Sequence, residues 1–247
     1  MKSSFFKTIL AAGLLIMGFS KNSKAQTYYP VYLCDGGTAT LHTPEEATLA
    51  NGDKVHWYLE GVEVAVLTYN GTVNVTNYVT PNNLGNGVHN YTNRIESVAG
   101  CLGDLSDPFQ VYQLPSKTLA LTASNASYCG SDATQSSVIT ATTTPAQALP
   151  AGIEYAYVWS ATKNGANVNP MSGIGAEDGA TTAVAKFTMT TTGAGTYVFN
   201  ATVKYVKTAA NTGVIKSGDN QGCEVSAAAT QTVTVTPRPI KPTIVIQ

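Results

Sequence analysis

Only 12% of the 247 residues are charged, about half the usual share for a soluble domain, and Thr, Ser, Asn and Gly take their place. Four of the 14 basic residues and none of the 15 acidic ones lie in the first 26, so the remainder carries a formal charge of −5. That balance argues against a nucleic-acid partner, which needs a basic stripe, and the length leaves room for one large or two ordinary domains.

Residues 1–26 read as a signal peptide. Lys2 and Lys7 supply a positive end, a short apolar run follows, and Ser23-Lys24-Ala25 offers a small-x-small cleavage site. The apolar run is too short for a membrane span, and with no Cys at the cut a lipid anchor is not expected. The first copy of a repeat then occupies residues 27–115. Residues 38–43 form a short strand, and in 54–59 Val55, Trp57 and Leu59 alternate onto one inward face. Glu60-Gly61 turns that strand back into 62–66. The β-branched stretch 72–79 reads as a further strand, and 88–98 and 109–114 complete the copy.

The second copy, residues 116–237, opens with a strand at 118–122. Residues 154–162 put Tyr155, Tyr157 and Trp159 on one face, and Asn164-Gly165 marks the turn after them. In 181–190, Ala183, Ala185, Phe187 and Met189 point inward. In 196–207 Tyr197, Phe199, Ala201, Val203 and Tyr205 do so, and in 231–236 Val233 and Val235. The period is two throughout, with no convincing helical stripe. The expected fold is all-β: two tandem antiparallel β-sandwiches after the signal peptide.

One frame recurs: Cys34, Trp57, Cys101, then Cys129, Trp159, Cys223. Four cysteines behind a signal peptide read as disulfides. Of the three possible pairings, the repeat selects Cys34–Cys101 and Cys129–Cys223, with Trp57 and Trp159 as the core between them. No two Cys have zinc-ligand spacing, so no metal and no cofactor is expected. Aligning the copies sets His89 where Tyr197 stands, at a corner where sandwiches place an aromatic, and this favours a structural role for His89.

Tyr32-Leu-Cys-Asp-Gly-Gly-Thr-Ala-Thr-Leu41, Trp57-Tyr-Leu-Glu-Gly-Val62 and Ala99-Gly-Cys101 resemble the bacterial immunoglobulin-like domains of exported and cell-surface proteins. The second copy keeps Cys129-Gly, Trp159 and Gly222-Cys223, with a longer middle and a longer last hairpin. The resemblance covers residues 27–237. It implies a non-catalytic adhesive, binding or spacer module, secreted or at the cell surface, with a protein or glycan partner. The alternative is a carbohydrate-binding accessory module of a polysaccharide-degrading system.

Enzyme signatures are missing. His42, His56 and His89 lie in strands with no G-x-S-x-G elbow. Glu45-Glu46 and Glu177-Asp178 are sequence neighbours rather than carboxylates facing across a cleft, and read as solvated loop charge. Tyr28, Tyr29 and Tyr32 read as cross-strand packing, with a sugar-stacking platform as the rarer alternative. Residues 208–222, far longer than the equivalent turn of the first copy, form either an extended hairpin, with 203–207 pairing 213–216, or a recognition loop presenting Asn211, Lys216, Asp219 and Asn220. Residues 238–247 begin as a Pro-rich spacer, and Thr243-Ile-Val-Ile-Gln247 reads as an opening strand with no domain behind it. The expectation is that the chain is a fragment of a longer array or that this strand adds to a neighbouring sheet, the alternative being a tail that folds back on its own domain.

Overall fold

The computed structural model describes residues 28–130, 134–145, 148–216, 223–244 and 246. The signal-peptide reading lies outside the described residues. The fold is all-β, two sandwiches in tandem. The first contributes Val31–Leu33 (β1), Thr40–Leu41 (β2), Lys54–Leu59 (β3), Val62–Thr68 (β4), Tyr78–Val79 (β5), Gly87–Glu96 (β6) and Phe109–Gln113 (β7). The second contributes Thr118–Ala123 (β8), Ser127–Cys129 (β9), Ser137–Thr144 (β10), Ile153–Lys163 (β11), Ala166–Asn167 (β12), Gly175–Glu177 (β13), Val184–Met189 (β14) and Gly195–Lys207 (β15). It ends with Val214–Lys216 (β16), Val225–Ser226 (β17) and Gln231–Thr236 (β18).

The period-2 faces fall where the alternation puts them. Val55 and Trp57 are buried with Leu33, Leu41, Tyr91 and Val111 in the first core, and Trp57 Nε1 donates to the Thr76 carbonyl at 2.9 Å. Trp159, Phe187, Met189, Tyr197, Phe199, Val203 and Val233 lie in the second. Glu60 and Gly61 take positive φ of 49° and 79°, as a tight turn between β3 and β4 requires. The corner equivalence also holds. His89 Nε2 donates to the Gly85 carbonyl at 2.6 Å and the Tyr197 hydroxyl to the Gly193 carbonyl at 2.8 Å, both reaching four residues back.

The stretch 72–79 departs from expectation: only Tyr78–Val79 is strand. The cause is Glu46, which is 3% exposed rather than solvated. Its carboxylate accepts from the Asn74 N–H and from both the N–H and hydroxyl of Thr76. These bonds hold the backbone in turns and divert it from a ladder. Burial opposes the charge, but the Thr76 and Asn74 hydrogen bonds outweigh it and hold Glu46 below the usual carboxylate range.

The first large sheet runs β16-β1-β7-β6-β3-β4, against a small β2-β5 sheet. Its edge strand β16 comes from the second copy. The expected hairpin between 203–207 and 213–216 does not form. Beyond Val203, where β17 ends its pairing with β15, 214–216 does not fold back along 204–207. It crosses over and pairs in parallel with β1, with the Val214 N–H donating to the Pro30 carbonyl.

Candidate functional site

The crossing strand makes a joint between the sandwiches. β1 is paired on both sides, Tyr32 lying between Tyr112 of β7 and Ile215 of β16. Alternation lets this strand serve two cores at once: Leu33 faces the first and Tyr32 the second. Asn211 is the polar organiser. It is 4% exposed; its Nδ2 donates to the Tyr32 hydroxyl and to the Gly152 carbonyl, each at 3.0 Å, and its Oδ1 accepts from the Gly213 N–H. Every polar atom of that buried amide is thereby matched. Gly213 passes so close that a Cβ would sit 2.1 Å from the Tyr29 carbonyl oxygen.

The disulfide lies in the same joint. Cys34 is bonded to Cys223, with Cα atoms 5.5 Å apart. The expected pairings, Cys34–Cys101 and Cys129–Cys223, are therefore corrected. β6 separates the first pair: its Gly87 end lies level with Leu33 through Gln113, and Cys101 follows its other end, ten residues on, roughly 30 Å away. Cys101 is exposed and unbonded among the described residues. Cys129 stands beside Thr236 at the far end of the second sandwich, while Cys223 is at the joint. A C–W–C frame in each copy cannot show this, because it records order along the chain and not which pole each hairpin occupies.

Beside the disulfide a cleft of about 270 Å³ is lined by Cys34, Asp35, Pro115, Lys117, Cys223 and Glu224. Lys117 is buried, its ammonium 3.9 Å from the Tyr205 ring centre and donating to the Cys223 carbonyl. Burial lowers its pKa to about 8. The Tyr205 hydroxyl donates to the Pro115 carbonyl, closing the joint on the linker.

Among the candidate binding residues, Asn211 is inside the joint and Lys216 is in β16, its carbonyl accepting from the Cys34 N–H at 2.9 Å. Asp219 and Asn220 lie outside the described residues. Tyr29, Tyr32 and Tyr112 form one ring cluster with centroids 5.0 to 6.1 Å apart, which is packing and not a platform.

The outward face of the first large sheet carries a charge network that the alternation alone does not reveal. His56 bridges Glu63 at 2.8 Å and Glu96 at 2.7 Å, and Lys54 reaches Glu96 at 3.1 Å. Hydrogen bonds from His56 hold both carboxyls below their usual range.

The first sandwich also opens into an apolar groove of about 370 Å³, between β2 with the following turn and the β1–β7–β6 side. Val31, Leu41, Trp57, Tyr91 and Phe109 line it, with Glu45, Asp107 and Lys216 among its polar residues. Phe109 is 41% exposed. The second sandwich has a cleft of about 490 Å³ beside Tyr157, Trp159, Met171 and Phe187. There Trp159 is 8% exposed, and the Tyr157 hydroxyl is held by Thr143 and the Thr182 carbonyl. No group of three or more His, Cys, Asp or Glu among the described residues is placed to hold a metal. No helix among them is long and apolar enough to cross a membrane.

No protein-family model and no curated protein matches the chain. Solved structures do. Sidekick-1 immunoglobulin domains 1–5 align over 87% of this chain and 37% of theirs, at 12% identity and a TM-score of 0.30. Invasin, described as a bacterial integrin-binding protein, aligns over 82% and 36% at 17% identity and a TM-score of 0.30. Three domains of human CDH23 align over 84% and 68% at 9% identity and 0.32. The chain spans 37% and 50% of the lengths of the first two Sidekick-1 structures. Likeness at this level concerns the fold alone.

Proposed function

We propose that the chain is a non-catalytic binding or spacer unit that works outside the cytoplasm, built of two immunoglobulin-like domains (residues 27–115 and 116–237). The observation that carries this is the joint. A strand of one sandwich completes the sheet of the other, and the Cys34–Cys223 bond locks the crossing. Disulfides persist in oxidising compartments, and a clamped joint suits a module that must hold two surfaces in a fixed relation. The resemblance to exported bacterial immunoglobulin-like domains points the same way. The carbohydrate-binding alternative loses its best-motivated residues, since Tyr29 and Tyr32 pack inside the joint. Fractionation of cells making the full chain tests the reading. The expected result is protein outside the cytoplasm, shortened by about 26 residues, with Cys34 and Cys223 oxidised. A cytoplasmic pool with an intact N-terminus and free thiols at both positions overturns it.

A further inference from the structure

Two features of this molecule are incomplete in complementary ways. Among the described residues β2 is bonded on one side only, to β5. Beside that pair the Thr80 N–H donates to the Ala39 carbonyl and the Ala39 N–H to the Thr80 hydroxyl. With Ala39 turned toward Thr80, strand alternation points the N–H and C=O of Thr40 away from β5. On this open side lies the apolar groove floored by Trp57 and flanked by Leu41 and Phe109. At the other end of the chain, Ile240, Ile244 and Ile246 are 94%, 95% and 100% exposed. Ile244 and Ile246 have the two-residue spacing of one strand face.

We propose that the apolar tail of one copy adds as a strand to the free edge of β2 in another copy, seating Ile244 and Ile246 in the groove. Strand addition of this kind takes its affinity from main-chain bonds and its specificity from pockets for alternate side chains, and both halves are present here. The long edge strand β4 is the competing acceptor. It exposes Val62, Val64 and Val66 and offers backbone, whereas the β2 edge adds a groove lined by Leu41, Trp57 and Phe109. Charge agrees: Arg238 and Lys241 precede the tail strand, and the groove carries Glu45 and Asp107 against Lys216.

Pairing must be between copies. The chain enters the second sandwich at the joint and leaves it at Thr236, which sits beside Cys129 at the far pole. The six residues of β8 and three of β9 separate those poles, roughly 30 Å, and the groove runs from Val31 and Lys216 at the joint onward to Phe109 and Asn93. Ten residues from Pro237 to Ile246 extend at most about 35 Å. A head-to-tail contact of this type is heterologous, and it closes into rings or runs on as fibres.

Sedimentation of the chain from Gln26 onward tests this, up to about 1 mM because a five-residue strand buries less than a stable interface does. The expected result is a mass that rises with concentration to at least twice the monomer's, and an Ile244→Asp/Ile246→Asp variant that stays monomeric with an unchanged melting temperature. A peptide of residues 237–247 carrying a photoreactive group at position 246 should cross-link that variant at β2 or Phe109. A chain monomeric throughout, association that survives the double substitution, or cross-links on β4 or the second sandwich each overturn the proposal.

Discussion

Trp57 sits where four elements meet: β3 carries it, its indole stacks beside Tyr78 of β5, its N–H is taken by the Thr76 carbonyl, and one side of it floors the groove. Truncating a buried Trp costs ~3–5 kcal/mol, and here a lost hydrogen bond adds to the cavity. Trp57→Ala should therefore fall in that range by urea denaturation. A loss of a few tenths would place Trp57 outside the core. Lys117 gives a pH signature. Its folded pKa of about 8 is below its unfolded value, so the unfolded chain binds more protons between about 8 and 10.5 and stability rises with pH across that window. Above about 10 the buried phenols oppose this. Burial raises Tyr91 and Tyr205, so the unfolded chain ionises first and stability falls. Lys117→Met should flatten the rise between pH 8 and 10 in urea melts and leave the alkaline fall in place.

β16 shows how one element links the sandwiches. Its middle residue Ile215 packs against the second core, and the strand is placed because Gly213 lets the chain approach Tyr29 and Tyr32 and because Asn211 fixes the turn before it. A Cβ at 213 has no room, its nearest neighbour being backbone at 2.1 Å. Gly213→Val should detach β16 while both cores persist. Amide exchange should then quicken at 31–34 and 214–216 and stay slow in β3 and β15. Uniform loss of protection would mean that the joint and the cores unfold as one unit.

Across the whole molecule, the Cys34–Cys223 bond closes a separation of 189 residues, worth at most about 5 kcal/mol in the chain-entropy model. Each sandwich has its own buried cluster, so the expected effect of Cys223→Ser falls on orientation more than on folding. X-ray scattering should show a larger maximum dimension and a broader ensemble. Near-ultraviolet dichroism of the buried aromatics should stay close to that of the parent. An unchanged scattering profile would show that strand pairing alone holds the joint.

Alternation decided much of this fold before any contact was known. Val55 with Trp57, and Tyr197 through Tyr205, were legible as inward faces because period 2 is a property of the backbone. The equivalence of His89 and Tyr197 was legible because each copy repeats the same corner. Glu46 was not: nothing local distinguishes it from Glu45, and only the fold brings Asn74 and Thr76 to its carboxylate. The loop at 208–222 stood out by its length, but where 214–216 goes depended on Tyr32 and the Gly152 carbonyl meeting Asn211, which only the docking of the sandwiches brings about. The cysteine frame gave the order of the bridgeheads along the chain. The pairing depended on which ends of the sheets meet, and that is set by the docking of one sandwich on the other, which brings Cys223 to Cys34 and leaves Cys101 one strand length away.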